Sequence, residues 1–355
     1  MVTETFVHLL RDNFTEAKIR AKKSFLVERQ QLYSLAEFRT QSDILGFLAD
    51  TPYGPELSKL QESSSQLEME RAVLLAFAKS VKNLISSAKG NVREFLIEYT
   101  RRLDAYDMGT LLIYKSQGRT WEEYLLTRKP LSSVGERELR SLYSRESPTA
   151  LAEQLGDETL QSRIKGITLG ELTPDKTSLI RDIFNGWGEE RFYNHVSKRL
   201  HGRDRDSCLP IVGASIDLLN LSVVLRSKLI GIRAIGEHLI PAHWRLSEKV
   251  LSLLAVGEDI LQTLDQASSI RHYKGLLSIA RQKYEESKSL AFLEISVRKH
   301  LVDVSRKVLL KFPNSMGVVV AFLTLKENEA RNIAAVVSGV GAGLKPETIR
   351  PLLVA

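Results

Sequence analysis

The chain has 355 residues, long enough for two or three domains and for a core that needs neither disulfide nor metal to hold it. Its one cysteine, Cys208, excludes an internal disulfide framework and zinc ribbons, and fits a reducing compartment. Fifty Lys and Arg against 43 Asp and Glu leave a net charge of +7, which favours an anionic partner (nucleic acid, acidic protein or membrane face) without making a polycation.

Only ten prolines occur, and none lies in residues 56–129 or 242–312. Interior prolines break helices, so their scarcity favours an all-α fold. Residues 1–14 carry Glu4 and Asp12 and no apolar core, and are not expected to be a secretory signal. A helix is expected over 15–31, followed by a break at 51–57 (TPYGPEL). From 67 to 88, Leu74, Phe77, Val81, Leu84 and Ala88 recur at spacings of three and four, with Ser65 and Glu68 forming a capping box ahead of them. Helices are expected next over 91–117 and 176–200, the second weakened by Gly186 and Gly188, with a break at 166–175 between them. A loop over 200–210 then precedes helices at 215–230 and 249–264. Leu290, Leu293, Val297, Leu301, Val304 and Val308 make a further apolar stripe, with Arg298, Lys299, Arg306, Lys307 and Lys311 lying off it. After a break at 311–317 (KFPNSMG), the valine-rich run 318–325 continues at helical spacing through Ile333, Val336 and Val337, and reads as helix rather than strand. The run 317–325 is also the most apolar one noted, and is too short to span a bilayer.

One pattern recurs three times. Asp104 and Asp107 are followed by Lys115 and Gly118; Asp217 and Asn220 by Lys228 and Gly231; Glu329 and Asn332 by Gly343, with Val340 where the lysine would stand. The glycine lies 14 positions after the first acid each time, and the copies start 113 and 112 residues apart. This is a domain-sized period rather than that of a solenoid. An acid and an Asn or Asp at i and i+3 share one helix face and can bond exposed backbone groups of a neighbouring turn. The glycine supplies the left-handed residue that ends a helix. Apolar positions then resume at Trp121 and Tyr124, at Ile235 and Leu239, and at Ile349, Leu352 and Leu353. The expected unit is helix, tight turn and second helix, closed by a polar clasp.

These residues resemble a known family. The C-terminal stretch LTLKENEARNIAAVVSGVGAGLKPETIRPLL, with its core from Lys326 to Asn332, is similar to the signature of the C subunit of archaeal A-type ATP synthases, a family that includes the d subunit of eukaryotic vacuolar (V-type) ATPases. AKIRAKKSF at 17–25, TPYGPEL at 51–57, and Asp217, Asn220, Lys228 and Gly231 with Leu239-Ile-Pro241 match further parts of it. Ala242-His243 departs from the family pattern, where a glycine turn is expected.

The resemblance implies an all-helical funnel of three similar domains around a pseudo-threefold axis, serving as the central-stalk socket of a rotary ATP synthase or ATPase. The central shaft of D and F subunits would plug into the funnel, and its base would rest on the proteolipid ring at the cytoplasmic face of the membrane, as a peripheral contact. Torque would pass through it during proton- or sodium-coupled synthesis or hydrolysis. It would have no catalytic residue, cofactor, metal, nucleic acid or small-molecule substrate of its own. The expected divisions are 1–103, an N-terminal helical region completed by the C-terminal repeat; 104–216 and 217–328, two repeat units; and 329–355, the third signature with a C-terminal helix.

Other signals point elsewhere and are weaker. GVGAGLK at 339–345 has neither phosphate-loop nor dinucleotide spacing. Gly213-Ala-Ser215 lacks the second glycine of a nucleophile elbow. Of the seven histidines, His238 and His243 are near each other and His195 and His201 near Cys208, but no four ligands gather. Basic pairs at Lys22-Lys23, Arg101-Arg102, Arg203 with Arg205, and Arg298-Lys299 lack interleaved aromatics and read as solvated helix faces. A helical scaffold or nucleic-acid-binding protein is the alternative reading.

Overall fold

The computed structural model describes residues 26–61, 64–128, 130–145, 158–164, 172–257 and 259–354, together with Ile19, Ala21 and Ile167. Among them all regular structure is helical, with no strand. The helices are α1 (Arg29–Leu35), α2 (Gln41–Leu48), α3 (Gly54–Leu57), α4 (Gln66–Ser87), α5 (Gly90–Ser116), α6 (Trp121–Thr127), α7 (Glu136–Tyr143) and α8 (Glu158–Ile164). There follow α9 (Pro174–Arg199), α10 (Gly202–Leu229), α11 (Glu248–Val256), α12 (Ile260–Ser268), α13 (Lys274–Ser287), α14 (Ala291–Lys311), α15 (Met316–Gly341) and α16 (Pro346–Ile349). Short 3-10 turns lie at Ile235–His238 and Arg350–Leu352.

The chain divides into two compact units. The first comprises Met1–Ile97, Gly202–Cys208 and Arg298–Ala355; the second comprises Glu98–His201 and Leu209–Val297. In the first, α15 packs against α4. Its run from Val318 to Leu323 is buried on every side, and Ile333, Val336 and Val337 carry the burial to its far end. A helix enclosed all round has no polar stripe, which is why its valine-rich start can pass for a strand. Met69, Val73, Phe77 and Val81 of α4 face the core. The Ser338 hydroxyl donates to Glu70 near the start of α4, and nine residues further along α4 Lys79 donates to Glu56 on the turn whose Tyr53 bonds to Glu329, nine residues earlier on α15, so the two helices run antiparallel. Burying one Leu or Phe fully contributes about 1.5–3 kcal/mol, so these helices are held by tertiary contact rather than by propensity. In the second unit, Leu111, Trp121, Tyr124, Ile183 and Phe184 lie in one apolar cluster. Close helix approach there needs glycine: a Cβ on Gly188 would stand 2.6 Å from the Arg102 carbonyl oxygen.

Several expectations change. The loop expected over 200–210 is the first part of α10, which starts at Gly202 and carries Pro210 inside it. Tertiary anchoring overrides the breaker signals, because the Met316 and Gly317 amides donate to Asp204 Oδ1 (2.8 Å) and Ser207 Oγ (3.0 Å) in the first turns of that helix. The single helix expected over 249–264 is two, α11 and α12, parted where Asp259 caps α12 by accepting from the Gln262 amide at 2.7 Å. The helix expected over 15–31 lies mostly outside the described residues. Leu26, Val27 and Glu28 are not helical, and α1 begins at Arg29. α10 is also long and apolar enough to cross a membrane, unlike the shorter run noted in the sequence, and 78% of its most apolar window is buried inside the protein.

The capping box is present, with the Ser65 hydroxyl accepting from the Glu68 amide and Glu68 accepting from the Ser65 amide at 2.7 Å. Ser65→Ala is expected to lower stability by about 1 kcal/mol, read as a shifted urea midpoint with unchanged slope. An unchanged midpoint would mean that α4 does not depend on this cap.

Candidate functional site

Each carboxylate of the recurring pattern sits mid-helix, on α5, α10 and α15, and accepts donors from chain far from it in sequence. Asp217, fully buried, accepts the amides of Trp244 (2.8 Å), Arg245 (2.7 Å) and Leu246 (3.2 Å), and the hydroxyl of Tyr273 (2.7 Å). One turn on, the Asn220 side-chain amide donates to the carbonyls of Ile240 and Ala242, both at 3.1 Å, and its oxygen accepts from the Ile240 amide at 2.8 Å. The segment after α10 is thus folded back along it. The Ala242-His243 departure falls within this segment, where the Ala242 carbonyl takes part in the bonding. Gly213 lets Trp244 lie against the helix, since a Cβ there would come 2.5 Å from its ring.

Glu329 has a parallel set of partners in the first unit. It accepts the Val27 amide (2.7 Å), the Tyr53 hydroxyl (2.7 Å) and the Lys326 ammonium, which also lies 4.3 Å from the centre of the Tyr53 ring. Asn332 brackets Val354, donating to its carbonyl at 2.6 Å and accepting from its amide at 3.0 Å. Segments near both ends of the sequence therefore meet on one turn of α15. Asp104 accepts from the Ser132 hydroxyl (2.9 Å) and from the Ser133 amide and hydroxyl (both 2.6 Å). Asp107, fully buried, takes the Arg128 guanidinium at 3.3 Å, and its main-chain carbonyl accepts from the Tyr124 hydroxyl at 3.5 Å.

The glycines end the three long helices alike. Gly118, Gly231 and Gly343 have φ of 65°, 76° and 68°, a left-handed conformation that costs other residues more than glycine. Beyond each, an amide reaches back to the last turn: Arg119 to the Tyr114 carbonyl (3.0 Å), Ile232 to Ser227 (2.8 Å) and Leu344 to Gly339 (2.9 Å). The lysines make different contacts. The Lys115 ammonium lies 5.3 Å from the centre of the Tyr143 ring, whereas Lys228 donates to the Gly257 carbonyl at the end of α11. Val340 is buried in the third copy.

Burial is the largest reason that the Tyr53 and Tyr273 hydroxyls titrate far above the ordinary tyrosine range, and the adjoining carboxylates add to it. Both therefore remain donors. The turn carrying Tyr53 is fixed by Glu56, which takes the ammonium groups of Lys79 and of Lys59 (2.9 Å). These hydrogen bonds, that from Lys79 first, hold the Glu56 carboxyl below its usual range.

Sequence alone does not assign Val27, Tyr53, Ser132, Ser133 or Tyr273 to the clasps. A signal exists for two of the three: the bonded amide lies 29 residues after Asp104 and 27 to 29 after Asp217. For Glu329 the spacing rule does not apply, and its donors lie 302 and 276 positions before it. The weaker signals have ordinary places. His238 is buried against the Arg163 carbonyl, Ser215 is inside α10, and the glycines of 339–343 form the end of α15 and its turn. Arg102 pairs with Glu189 at 2.7 Å and Arg101 with Glu98. Among the described residues no group of three His, Cys, Asp or Glu could hold a metal.

Tyr53→Phe and Tyr273→Phe should each cost about 1.5–3 kcal/mol in urea unfolding, because a buried carboxylate loses one donor. Less than about 0.5 kcal/mol, on the order of a surface substitution, would mean that the hydroxyl adds nothing. The depressed Glu56 carboxyl contributes stability that is present above its unfolded value near ~4.3 and is lost as pH falls through its folded value. The advantage of the native protein over Glu56→Gln in thermal melts at pH 7 should therefore shrink by about pH 3. A constant difference would contradict the assigned ion pairs.

A family model described as ATP synthase (C/AC39) subunit matches residues 15–352. The chain is 25% identical to the C subunit of the A-type ATP synthase of Methanocaldococcus jannaschii, over 99% of this chain and 88% of that protein. It is 23% identical to that of Pyrococcus furiosus, over 96% and 90%. It is 25% identical to that of Thermococcus kodakarensis, over 95% and 89%.

Proposed function

The chain belongs to the ATP synthase (C/AC39) subunit family, and from that premise we propose that it is the central-stalk coupling subunit of a rotary A-type or V-type ATP synthase or ATPase. As a member of that family it is a non-catalytic component of a membrane-associated complex. In the proposed role it forms the socket between a shaft of D and F subunits and the proteolipid ring, on the cytoplasmic face, and passes torque in either direction of the machine.

The single observation that carries this reading is the recurrence of one clasp on three long helices, α5, α10 and α15. A part that transmits torque without chemistry needs long elements whose connections cannot slip. A mid-helix carboxylate gripping the returning chain meets that need. The three clasps support three pseudo-repeats around a pseudo-threefold axis, with the Asp104, Asp217 and Glu329 helices as equivalents. They also support a staggered division in which the N-terminal region completes the repeat begun by Glu329. Glu28 and Thr40, which precede α1 and α2, are spaced as Ser247 and Asp259 are before α11 and α12, and Tyr53 takes the part of Tyr273.

Native mass spectrometry of the chain mixed with its cognate D and F subunits at micromolar concentration tests this role. A ternary complex is expected. Absence of a complex, together with a salt-dependent shift of DNA or RNA in a gel, would favour the nucleic-acid-binding alternative instead.

A further inference from the structure

One end of the first unit carries a charge pattern that the clasps do not use. Because α4 runs antiparallel to α15, the end of α4 lies at the start of α15, and each helix is about 30 Å or more long at 1.5 Å per residue. The end of α14 joins the start of α15 through residues 312–315, and the first turns of α10 are pinned there by the Asp204 and Ser207 bonds to Met316 and Gly317. Three separate stretches of chain thus converge on this end.

Each stretch is basic and exposed. Lys82 lies on α4, and Lys89 and Arg93 follow it; Arg203 and Arg205 lie on α10; Arg306, Lys307 and Lys311 end α14. The acids among them are Glu94, Asp204, Asp206 and Asp303. Asp204 is already bonded to the Met316 amide, and Asp206 pairs with Arg205 at 3.4 Å. At the opposite end of the unit, Glu68, Glu70 and Glu347 balance Lys345 and Arg350. Within the basic end, Leu310 is 80% exposed, directly before Lys311 and three residues after Lys307. An exposed leucine gains little from the charged sugar-phosphate backbone of a nucleic acid, but it gains from entering an acyl boundary while its neighbours hold phosphate.

We propose that this end of the unit docks on anionic phospholipid headgroups, with Leu310 inserted between the basic side chains. This deepens the membrane contact in the functional reading by naming the residues that make it. Each basic residue near an anionic surface strengthens binding about fivefold, so losing four should weaken it by at least about a hundredfold.

The test is cosedimentation of the full chain with vesicles of phosphatidylcholine alone or with about one third phosphatidylglycerol. Pelleting only with the anionic vesicles, weakened at least tenfold by 0.5 M salt, is expected. The variant Arg203→Glu, Arg306→Glu, Lys307→Glu, Lys311→Glu should lose at least a hundredfold, and Leu310→Ser a few fold, with circular dichroism melts confirming that both fold. A control of equal charge change, Arg137→Glu, Lys249→Glu, Arg271→Glu, Lys274→Glu, should bind as the native chain does, allowing for its lower net charge, within about threefold. Equal pelleting with uncharged vesicles, an equal loss in the control, or competition by DNA that Leu310→Ser leaves untouched would each overturn the proposal. A chain that assembles with D and F yet ignores anionic vesicles sinks this proposal alone. One that binds vesicles without assembling sinks the stalk reading and leaves this one standing.

Discussion

A carboxylate in the middle of a long helix is an awkward group to bury, because removing it from water without compensation costs several kcal/mol. Here Asp217 and Glu329 are buried and compensated by backbone amides and a tyrosine hydroxyl from distant chain. That requirement dictates much else. The returning segment must lie along the helix, the helix must end sharply so that the chain can turn back, and the tyrosine must arrive on a turn of its own. Gly118, Gly231 and Gly343 provide the sharp ends, and the Glu56 ion pairs hold the turn that brings Tyr53.

The pairing of acid and amide also explains why segments 276 and 302 positions apart in sequence meet. Val27 and Tyr53 come from one end of the sequence and bond to Glu329; Val354 comes from the other and bonds to Asn332, one turn further along α15. The first copy differs chemically, with two serines where the others use a tyrosine, and Arg128 supports Asp107 where the other two copies have an asparagine. The geometric role is retained while the donors vary, as expected when what matters is satisfying a buried acceptor rather than performing chemistry on it.

Local signals are legible in the sequence and distant ones are not. α4 with its capping box, α5, α9 and α15 follow from apolar spacing and caps, and the Asp217 and Glu329 positions from their shared spacing to Asn220, Asn332 and the turn glycines. The first part of α10 is hidden because Gly202, Pro210 and its charged residues imitate a loop, and only the contacts of Asp204 and Ser207 with α15 reveal why it is helical. The break between α11 and α12 is hidden by continuous apolar periodicity across Gly257. Tyr53 and Tyr273 cannot be assigned because their acceptors lie 276 and 56 positions away, and no local pattern encodes such a distance. The family resemblance is visible because it rests on residues such as Glu329 and Asn332, whose spacing the clasp constrains.

The proposal of a socket on the axis of a rotary ATPase, built from one clasped unit used three times, is tested most directly by an electron cryomicroscopy reconstruction of the assembled complex. The expected result is that this chain lies between shaft and ring, with the helices bearing Asp104, Asp217 and Glu329 related by successive rotations near one third of a turn. A chain placed off the rotation axis, or three helices without that relation, would contradict it.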